Sequence, residues 1–187
     1  AFELDPYAKP AGDRDEPLVT MLAKKYRTSE SAAQAMIDRM TSAGAAEGMD
    51  FRFDRVRRGN TLDAHRLLAM ARESGRQDPL KDRLLQAYFT DGEDVGDSET
   101  LTQHAEAVGL SADEVRDMLA SDVYVEDVRQ DEARAAALGI TGVPFFVFGG
   151  RFGVSGAQSP EALRSVLERA SEPQSIDDID TGEICAI

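Results

Sequence analysis

The chain has 187 residues, of which 42% are hydrophobic and 30% are charged, and its formal net charge at pH 7 is -14. This length suits one compact domain, or one domain with a large insertion between its own elements. The acidic balance argues against nucleic acid or a membrane surface as partner, because both require clustered Lys and Arg. No apolar run approaches the roughly 20 residues that cross a bilayer, so we expect a soluble protein.

Residues that bind metals or carry redox chemistry are scarce. The single cysteine, Cys185, excludes an internal disulfide and a thiol-based metal site, and it is typical of a cytoplasmic protein. The two histidines, His65 and His104, lie far apart in the sequence. We therefore expect no metal cofactor.

Start and stop signals predict a series of helices through the middle of the chain. Asn60 is a candidate cap for one of them, and Ser111 with Glu114 forms a capping-box pattern for another. In chain order the helices are predicted over residues 17–26, 29–47, 61–74, 79–89 and 98–109, then from 111, and over 123–138.

The composition changes after Ile140. The run from Phe145 to Phe148 is aromatic and β-branched, Gly149 and Gly150 form a two-residue turn signal, and residues 151–154 supply a returning strand. A last amphipathic helix is predicted over residues 159–170, followed by a mobile acidic tail over 171–187.

A hairpin alone is marginally stable, and the strand from Phe145 to Phe148 is apolar on both faces, as in a strand covered on both sides. Residues Phe2 to Leu4 are predicted to be the end of another strand. Because a strand, a crossover helix and a strand take roughly 30 residues or more, we expect a strand-helix unit to be missing ahead of Ala1. A homodimer that exchanges strands is the other way to supply the neighbours.

Several motifs carry a resemblance to a known family. Residues 142–147 read Gly-Val-Pro-Phe-Phe-Val, and they are followed by Gly-Gly-Arg at 149–151 and Val-Ser-Gly-Ala-Gln at 154–158. Together with residues 2–6, 60–67 and 87–92, in the same order, they resemble the DsbA-like thioredoxin-fold family of the FrnE type. The resemblance extends from Phe2 to about Ala170.

The resemblance implies an α/β fold of the thioredoxin type with a large helical insertion. It assigns residues 1–16 and 123–170 to an incomplete thioredoxin-like domain, residues 17–122 to the insertion and residues 171–187 to the tail.

The function implied is protein disulfide oxidoreductase or isomerase activity through a Cys-x-x-Cys pair. In the family this pair precedes the Phe-Glu-Leu strand, and no residue of the chain matches it, so we expect the pair upstream of Ala1. The implied partner is a protein or small molecule that contains a disulfide or thiol. No cofactor is required, although glutathione is an alternative co-substrate.

Val143 and Pro144 are the first candidate substrate-binding residues. The resemblance implies a cis proline whose loop lies against the catalytic cysteines. A cis bond exposes the N–H and C=O of the preceding residue to an extended peptide. The structural alternative is a trans proline that begins an edge strand.

Asn60 and Thr61 are further substrate-binding candidates, because the resemblance places the start of their helix against the active-site cleft. The alternative is that Asn60 only caps the helix. For Asp63 and His65 we favour purely structural roles in the first turns.

Ser155 and Gln158 complete the candidate set. They precede a helix N-terminus that suits an anionic group, and related kappa-class glutathione transferases hold glutathione at the corresponding turn. The alternative is ordinary turn chemistry around Gly156.

Two other features are interpreted as non-functional. The acidic segment from Asp91 to Asp97 resembles a calcium loop, but Val95 and Thr102 stand where oxygen ligands belong, which favours a solvated loop leading into a helix. Cys185 is predicted to be inert, because neighbouring carboxylates raise rather than lower a thiol pKa.

Two rival functions stay open on the sequence. One is a glutathione-dependent isomerase similar to 2-hydroxychromene-2-carboxylate isomerase, in which Ser often replaces the first cysteine. The other is a non-enzymatic binding module with a degenerate site.

Overall fold

The computed structural model describes residues 3–9 and 16–172. That part of the chain contains eight α-helices, two β-strands and one π-helical turn, Ala87–Asp91. The helices are α1 Leu18–Tyr26, α2 Glu30–Ala46, α3 Leu62–Glu73, α4 Gln77–Gln86, α5 Ser98–Ala107, α6 Ala112–Leu119, α7 Val125–Ala137 and α8 Pro160–Ser171. The strands are β1 Phe145–Phe148 and β2 Phe152–Ser155.

Serine caps begin three of the predicted helices, and at α6 the Ser111 hydroxyl accepts from the Glu114 N–H at 3.4 Å. The Ser29 hydroxyl oxygen accepts a hydrogen bond from the Ala32 N–H at 3.1 Å, and the Ser159 hydroxyl accepts one from Ala162 at 3.3 Å. Each bond satisfies a backbone donor that the first helical turn leaves unpaired. The predicted starts of α2 and α8 are thereby confirmed.

The helix predicted to end near Phe89 differs in its last turn. The α-helical part ends at Gln86 and continues as the π-helical turn, which closes at Gly92 with φ 73°. The Glu93 N–H then donates to the Ala87 carbonyl oxygen at 2.9 Å. Gly92 suits this end because a positive φ costs glycine little.

The predicted strand at Phe2 to Leu4 is not a strand where the structure describes it. Glu3 and Leu4 have no regular structure, and Phe2 lies outside the described residues. The Glu3 N–H donates to the Glu132 side chain at 3.4 Å. Its backbone donor therefore bonds to a helix side chain and not to a neighbouring strand.

The contacts divide the chain into two compact units, one ending at Glu132 and the other beginning at Ala133. In the first unit, α3, α4, α5 and α6 pack around an apolar core, and α1 packs against α2. The fully buried members of this core are Leu67, Ala71, Leu80, Ala87, Leu101, Ala105 and Val115. The predicted boundary between the helical insertion and the sheet domain, between residues 122 and 123, stays a prediction.

In the second unit, β1 and β2 form an antiparallel hairpin, and α8 packs against both strands. Gly149 and Gly150 hold the turn with φ 58° and 70°, values that disfavour larger residues. Arg151 belongs to the turn and not to the predicted strand, because its N–H donates to the Phe148 carbonyl at 3.1 Å.

Strand β1 is not covered on both faces in the described part of the chain. Phe146 is 37% exposed and Val147 is 48% exposed. Among the described residues the sheet contains β1 and β2 alone, so each face of β1 retains solvent contact.

None of the described helices is long and apolar enough to cross a bilayer.

Candidate functional site

The loop that leads into β1 is the first candidate site. The peptide bond between Val143 and Pro144 is cis, the conformation that the resemblance implies. The Pro144 carbonyl oxygen accepts a hydrogen bond from the Gly156 N–H at 2.9 Å. Val143 is 55% exposed, and its backbone has no hydrogen-bond partner in the described part of the chain. The loop thus offers an unpaired N–H and C=O, which are the groups an extended peptide needs.

Ser155 and Gln158 lie in the turn between β2 and α8. The Gln158 side-chain amide donates to the Ser155 carbonyl oxygen at 2.9 Å, and Gly156 bends the chain with φ 81°. The amide of Gln158 is therefore used within the turn. This geometry matches the turn chemistry that the sequence leaves open as an alternative.

The N-terminus of α8 already has a carboxylate beside it. Hydrogen bonds from the Glu161 backbone and then from the Ser159 hydroxyl lower the pKa of Glu161. A carboxylate held at a helix N-terminus satisfies the partial positive charge there. This end of α8 is therefore less suited to an external anion than its position in sequence suggests.

Strand pairing brings four of the predicted site residues together within the second unit. Phe145 pairs with Ser155, which sets the Val143–Pro144 loop beside the turn that contains Gln158. The Gly156 to Pro144 hydrogen bond joins the two segments directly. Asn60 and Thr61 belong to the first unit.

Asn60 uses both ends of its side-chain amide. Its oxygen accepts from the Leu62 N–H at 2.8 Å at the start of α3, and its nitrogen donates to the Ala8 carbonyl at 3.2 Å. The capping role predicted for Asn60 is confirmed. The Thr61 side chain makes no capping bond and has no hydrogen-bond partner among the described residues.

Asp63 and His65 have the structural surroundings that the sequence favours. The Asp63 carboxylate pairs with the Arg66 guanidinium, with 2.6 Å between Oδ1 and Nη1. His65 is half-buried, and burial lowers its pKa, which keeps the imidazole neutral near pH 7.

Arg66 is an important residue that the sequence reasoning misses. Only 4% of it is exposed, and its guanidinium also donates to three backbone carbonyls, one in the last turn of α6 and two in the segment that joins α6 to α7. The acceptors are Met118 at 2.6 Å, Val123 at 2.9 Å and Ser121. One signal is present in the sequence, because Arg66 occupies an apolar stripe of α3 between Leu62 and Met70.

A second buried charge cluster joins the start of the chain to α7. Arg129 Nη1 donates to Glu3 Oε2 at 2.6 Å and to Glu132 Oε2 at 2.7 Å. The Glu3 side chain is fully buried, and its second oxygen has no hydrogen-bond partner among the described residues. Burial raises the pKa of Glu3 against the opposing effect of Arg129.

The acidic segment from Asp91 to Asp97 serves the helix that follows it. The Asp97 carboxylate accepts from the Thr100 N–H at 2.8 Å and caps α5, and Asp94 accepts from the Gly96 N–H at 2.9 Å. Thr102, at the position of a bidentate calcium ligand, is 1% exposed. The loop therefore leads into a helix as predicted.

Metal and redox ligands do not converge in the described part of the chain. Its His, Cys, Asp and Glu side chains form no group of three that could hold a metal ion. Cys185 lies outside the described residues. The absence of a metal and the inertness of Cys185 stay predictions.

Comparisons with known proteins agree with this geometry. The family pattern for the DSBA-like thioredoxin domain matches residues 1–168. A probable DsbA oxidoreductase from Streptomyces coelicolor shares 41% sequence identity with this chain, and its crystal structure superposes on it with a TM-score of 0.83. That match covers 100% of this chain and 82% of the other. A search of curated proteins finds no match.

The fold is therefore of the α/β thioredoxin-like class, with a small sheet and many helices. Within that class, the chain belongs to the family of DSBA-like thioredoxin domains.

Proposed function

We propose that this chain is the substrate-binding part of a thiol-disulfide oxidoreductase and isomerase of the FrnE type. The observation that carries the proposal is the backbone of Val143, which is exposed beside Pro144 ahead of β1 and has no hydrogen-bond partner among the described residues. Membership of the DSBA-like family supports it. The Streptomyces coelicolor protein, itself named a probable DsbA oxidoreductase, supports it further.

The reaction needs a pair of thiols. One thiolate attacks a sulfur of the substrate disulfide, forms a mixed disulfide and releases the other substrate sulfur as a thiolate. The second thiol of the pair then attacks the mixed disulfide. This step releases the substrate as a dithiol and leaves the pair as a disulfide. Because the 187 residues hold one cysteine, we place this pair in a segment that precedes Ala1.

Val143 orients the substrate in this scheme. Its N–H donates to, and its C=O accepts from, the main chain of an extended segment of the substrate. Each such hydrogen bond contributes roughly 0.5–1.5 kcal/mol net. Main-chain recognition suits a polypeptide, so we propose a disulfide-containing protein as the substrate class.

A glutathione-dependent isomerase has less support from these residues. The Gln158 amide is bonded to the Ser155 carbonyl, and the Glu161 carboxylate lies at the N-terminus of α8. The Gln158 amide is therefore already bonded, and the Glu161 carboxylate repels an anionic glutathione at this turn.

The test uses the polypeptide extended upstream of Ala1. Its upstream sequence should contain Cys-x-x-Cys, whereas Ser in place of the first Cys would favour the isomerase. Reduction of insulin disulfides by a dithiol is then compared between Val143→Pro, which removes the N–H, and Val143→Ala, which keeps it. We expect Val143→Pro to slow exchange about two- to ten-fold through the lost hydrogen bond. Equal rates in two variants that fold alike by circular dichroism would contradict the proposed role of Val143.

A further inference from the structure

A groove of about 660 Å³ lies on the helical unit, and its lining includes none of the residues of the proposed substrate site. The end of α3, the residues of α6 and the segment that leads into α7 form its walls. Its lining includes Met70, Glu73, Glu114, Asp117, Met118 and Tyr124. A volume of this size holds a ligand of several side chains.

The groove is held rigid from beneath. Arg66 binds the carbonyl oxygens of Met118, Ser121 and Val123, three residues of the groove lining. The Ser121 hydroxyl adds bonds to the Met118 carbonyl at 2.8 Å and from the Val123 N–H at 3.2 Å. A surface whose backbone is fixed in advance loses less conformational entropy when a ligand binds.

The floor of the groove is apolar. Met70, Leu110 and Tyr124 pack against the core of the unit while keeping part of their surface exposed. Val123 is 52% exposed at the edge. Burial and then the neighbouring Glu73 carboxylate raise the pKa of Tyr124, so its ring stays neutral. An aromatic face of this kind attracts a Lys or Arg cation.

The rim of the groove is acidic. Glu73, Glu114 and Asp117 are exposed, and in the described part of the chain none of them forms an ion pair with Lys or Arg. Two of the nearby cations are engaged with other carboxylates. Arg116 pairs with Asp113 at 3.3 Å, and Arg72 pairs with Asp127 at 3.9 Å, so neither neutralises the rim.

We propose that this groove binds a basic, apolar-rich segment of a polypeptide, in which Lys or Arg side chains alternate with large apolar ones. The basic side chains pair with the three rim carboxylates and lie over Tyr124. The apolar ones cover the Met70 and Leu110 floor. That the polypeptide is a substrate rests on the proposed function.

The probe is a fluorescein-labelled, cysteine-free peptide of alternating Leu and Lys, and its binding to the full chain is followed by fluorescence anisotropy at physiological salt. Glu114→Gln with Asp117→Asn should weaken binding about two- to five-fold for each carboxylate removed. The matched control, Asp82→Asn with Glu47→Gln, removes the same charge from exposed positions outside the groove. We expect the control to leave the affinity unchanged, because salt screens charges beyond about 8 Å.

Four results would overturn the assignment. These are no saturable binding, an equal loss in the groove and control variants, undiminished binding of a peptide with Ser in place of Leu, and displacement by spermidine at the peptide's own concentration. The first two deny a specific groove, the third denies the apolar floor, and the fourth makes the ligand a polyamine. Since the peptide has no cysteine, these results do not depend on exchange activity. If the polypeptide extended upstream of Ala1 shows no exchange activity but the peptide still binds, the proposed oxidoreductase function is contradicted and the groove assignment is not.

Discussion

The Arg66 guanidinium of α3 donates a hydrogen bond of 2.6 Å to the backbone carbonyl oxygen of Met118, 52 residues further along the chain. Together with its bonds to Ser121 and Val123, this contact joins α3 to the end of α6 and to the segment before α7. A buried arginine with one carboxylate and three carbonyl partners has most of its donors satisfied. Arg66 therefore stabilises the packing of α3 against the end of α6 and the segment before α7.

Replacing Arg66 with Met should destabilise the helical unit strongly. The change keeps much of the side-chain volume but leaves the partly buried carbonyl oxygens of Ser121 and Val123 without this donor, each at a cost of about 1–3 kcal/mol. We expect a total loss of about 2–5 kcal/mol in the free energy of unfolding, measured by urea denaturation.

Arg72 supplies the matched control for Arg66, because its pair with Asp127 is exposed and 3.9 Å long. Arg72→Met should cost less than about 1 kcal/mol. An equal loss in the two variants would contradict the prediction that the buried hydrogen bonds of Arg66 stabilise the fold more than an exposed ion pair does.

Asp97 links the stability of α5 to pH. Its carboxylate accepts from the Thr100 N–H, and this bond lowers the pKa of Asp97 below its ordinary value of 3.8. The stabilisation is present above pH 3.8 and is lost as the pH falls through the lower folded-state pKa. Asp97→Ala should therefore cost about 0.5–2 kcal/mol near pH 7, and this difference should shrink in acid.

Asp97→Asn separates the capping bond from the charge. Asn caps helices about as well as Asp but does not titrate. The Asn variant should stay near the wild type at pH 7, and its advantage over Asp97→Ala should be the same at pH 3 as at pH 7. Thermal unfolding of the three proteins across this range decides the point, and an advantage of Asn that disappears in acid would contradict it.

Glu3 should have the opposite dependence on pH. Burial raises its pKa above 4.5, although Arg129 opposes the shift and Glu132 adds to it. A raised folded-state pKa means that stability falls as pH rises from 4.5 through that value. Glu3→Gln should remove this fall, so the variant gains stability relative to the wild type as the pH rises above 4.5, as measured by urea denaturation.

Glu132 supplies the internal contrast. Burial acts to raise its pKa, but hydrogen bonds from Arg129 and from the Glu3 backbone outweigh this effect and lower it. Its stabilisation is present above pH 4.5 and lost in acid, so Glu132→Gln should cost most near neutrality. Parallel pH trends in Glu3→Gln and Glu132→Gln would show that the two carboxylates do not differ in this way.

Local signals were sufficient to predict most element boundaries. Ser29 and Ser159 begin helices because a hydroxyl accepts a bond from an N–H three residues ahead. Gly149 and Gly150 form a turn because both positions require positive φ. Each of these effects acts over a few residues, and a single sequence displays it directly.

Long-range polar contacts could not be predicted in the same way. The carbonyl partners of Arg66 lie 52 to 57 residues away, and Glu3 pairs with Arg129 across 126 residues. Asn60 illustrates both cases, since its cap on Leu62 follows from sequence whereas its bond to Ala8 does not. Tyr124, with φ 64°, also adopts a backbone conformation that its residue type gives no reason to expect.

The acidic segment before α5 should not bind calcium at physiological concentrations. Two of its carboxylates already accept backbone N–H groups, Asp94 from Gly96 and Asp97 from Thr100. At the position of the bidentate ligand, Thr102 is buried and its hydroxyl donates to the Ser98 carbonyl at 2.7 Å. Calcium has too few oxygen ligands here, since it takes six to eight.

Isothermal calorimetry with micromolar to millimolar calcium tests this expectation, and magnesium serves as the control ion. We expect no saturable heat and no rise in the unfolding temperature, because a ligand that binds the folded state must raise it. Thr102→Glu provides a second comparison. The buried position of Thr102 makes this change destabilising, since a carboxylate there is removed from water without a partner. Saturable binding by the wild type, together with a calcium-dependent gain in stability, would show that Asp94 and Asp97 can leave their backbone donors for a metal.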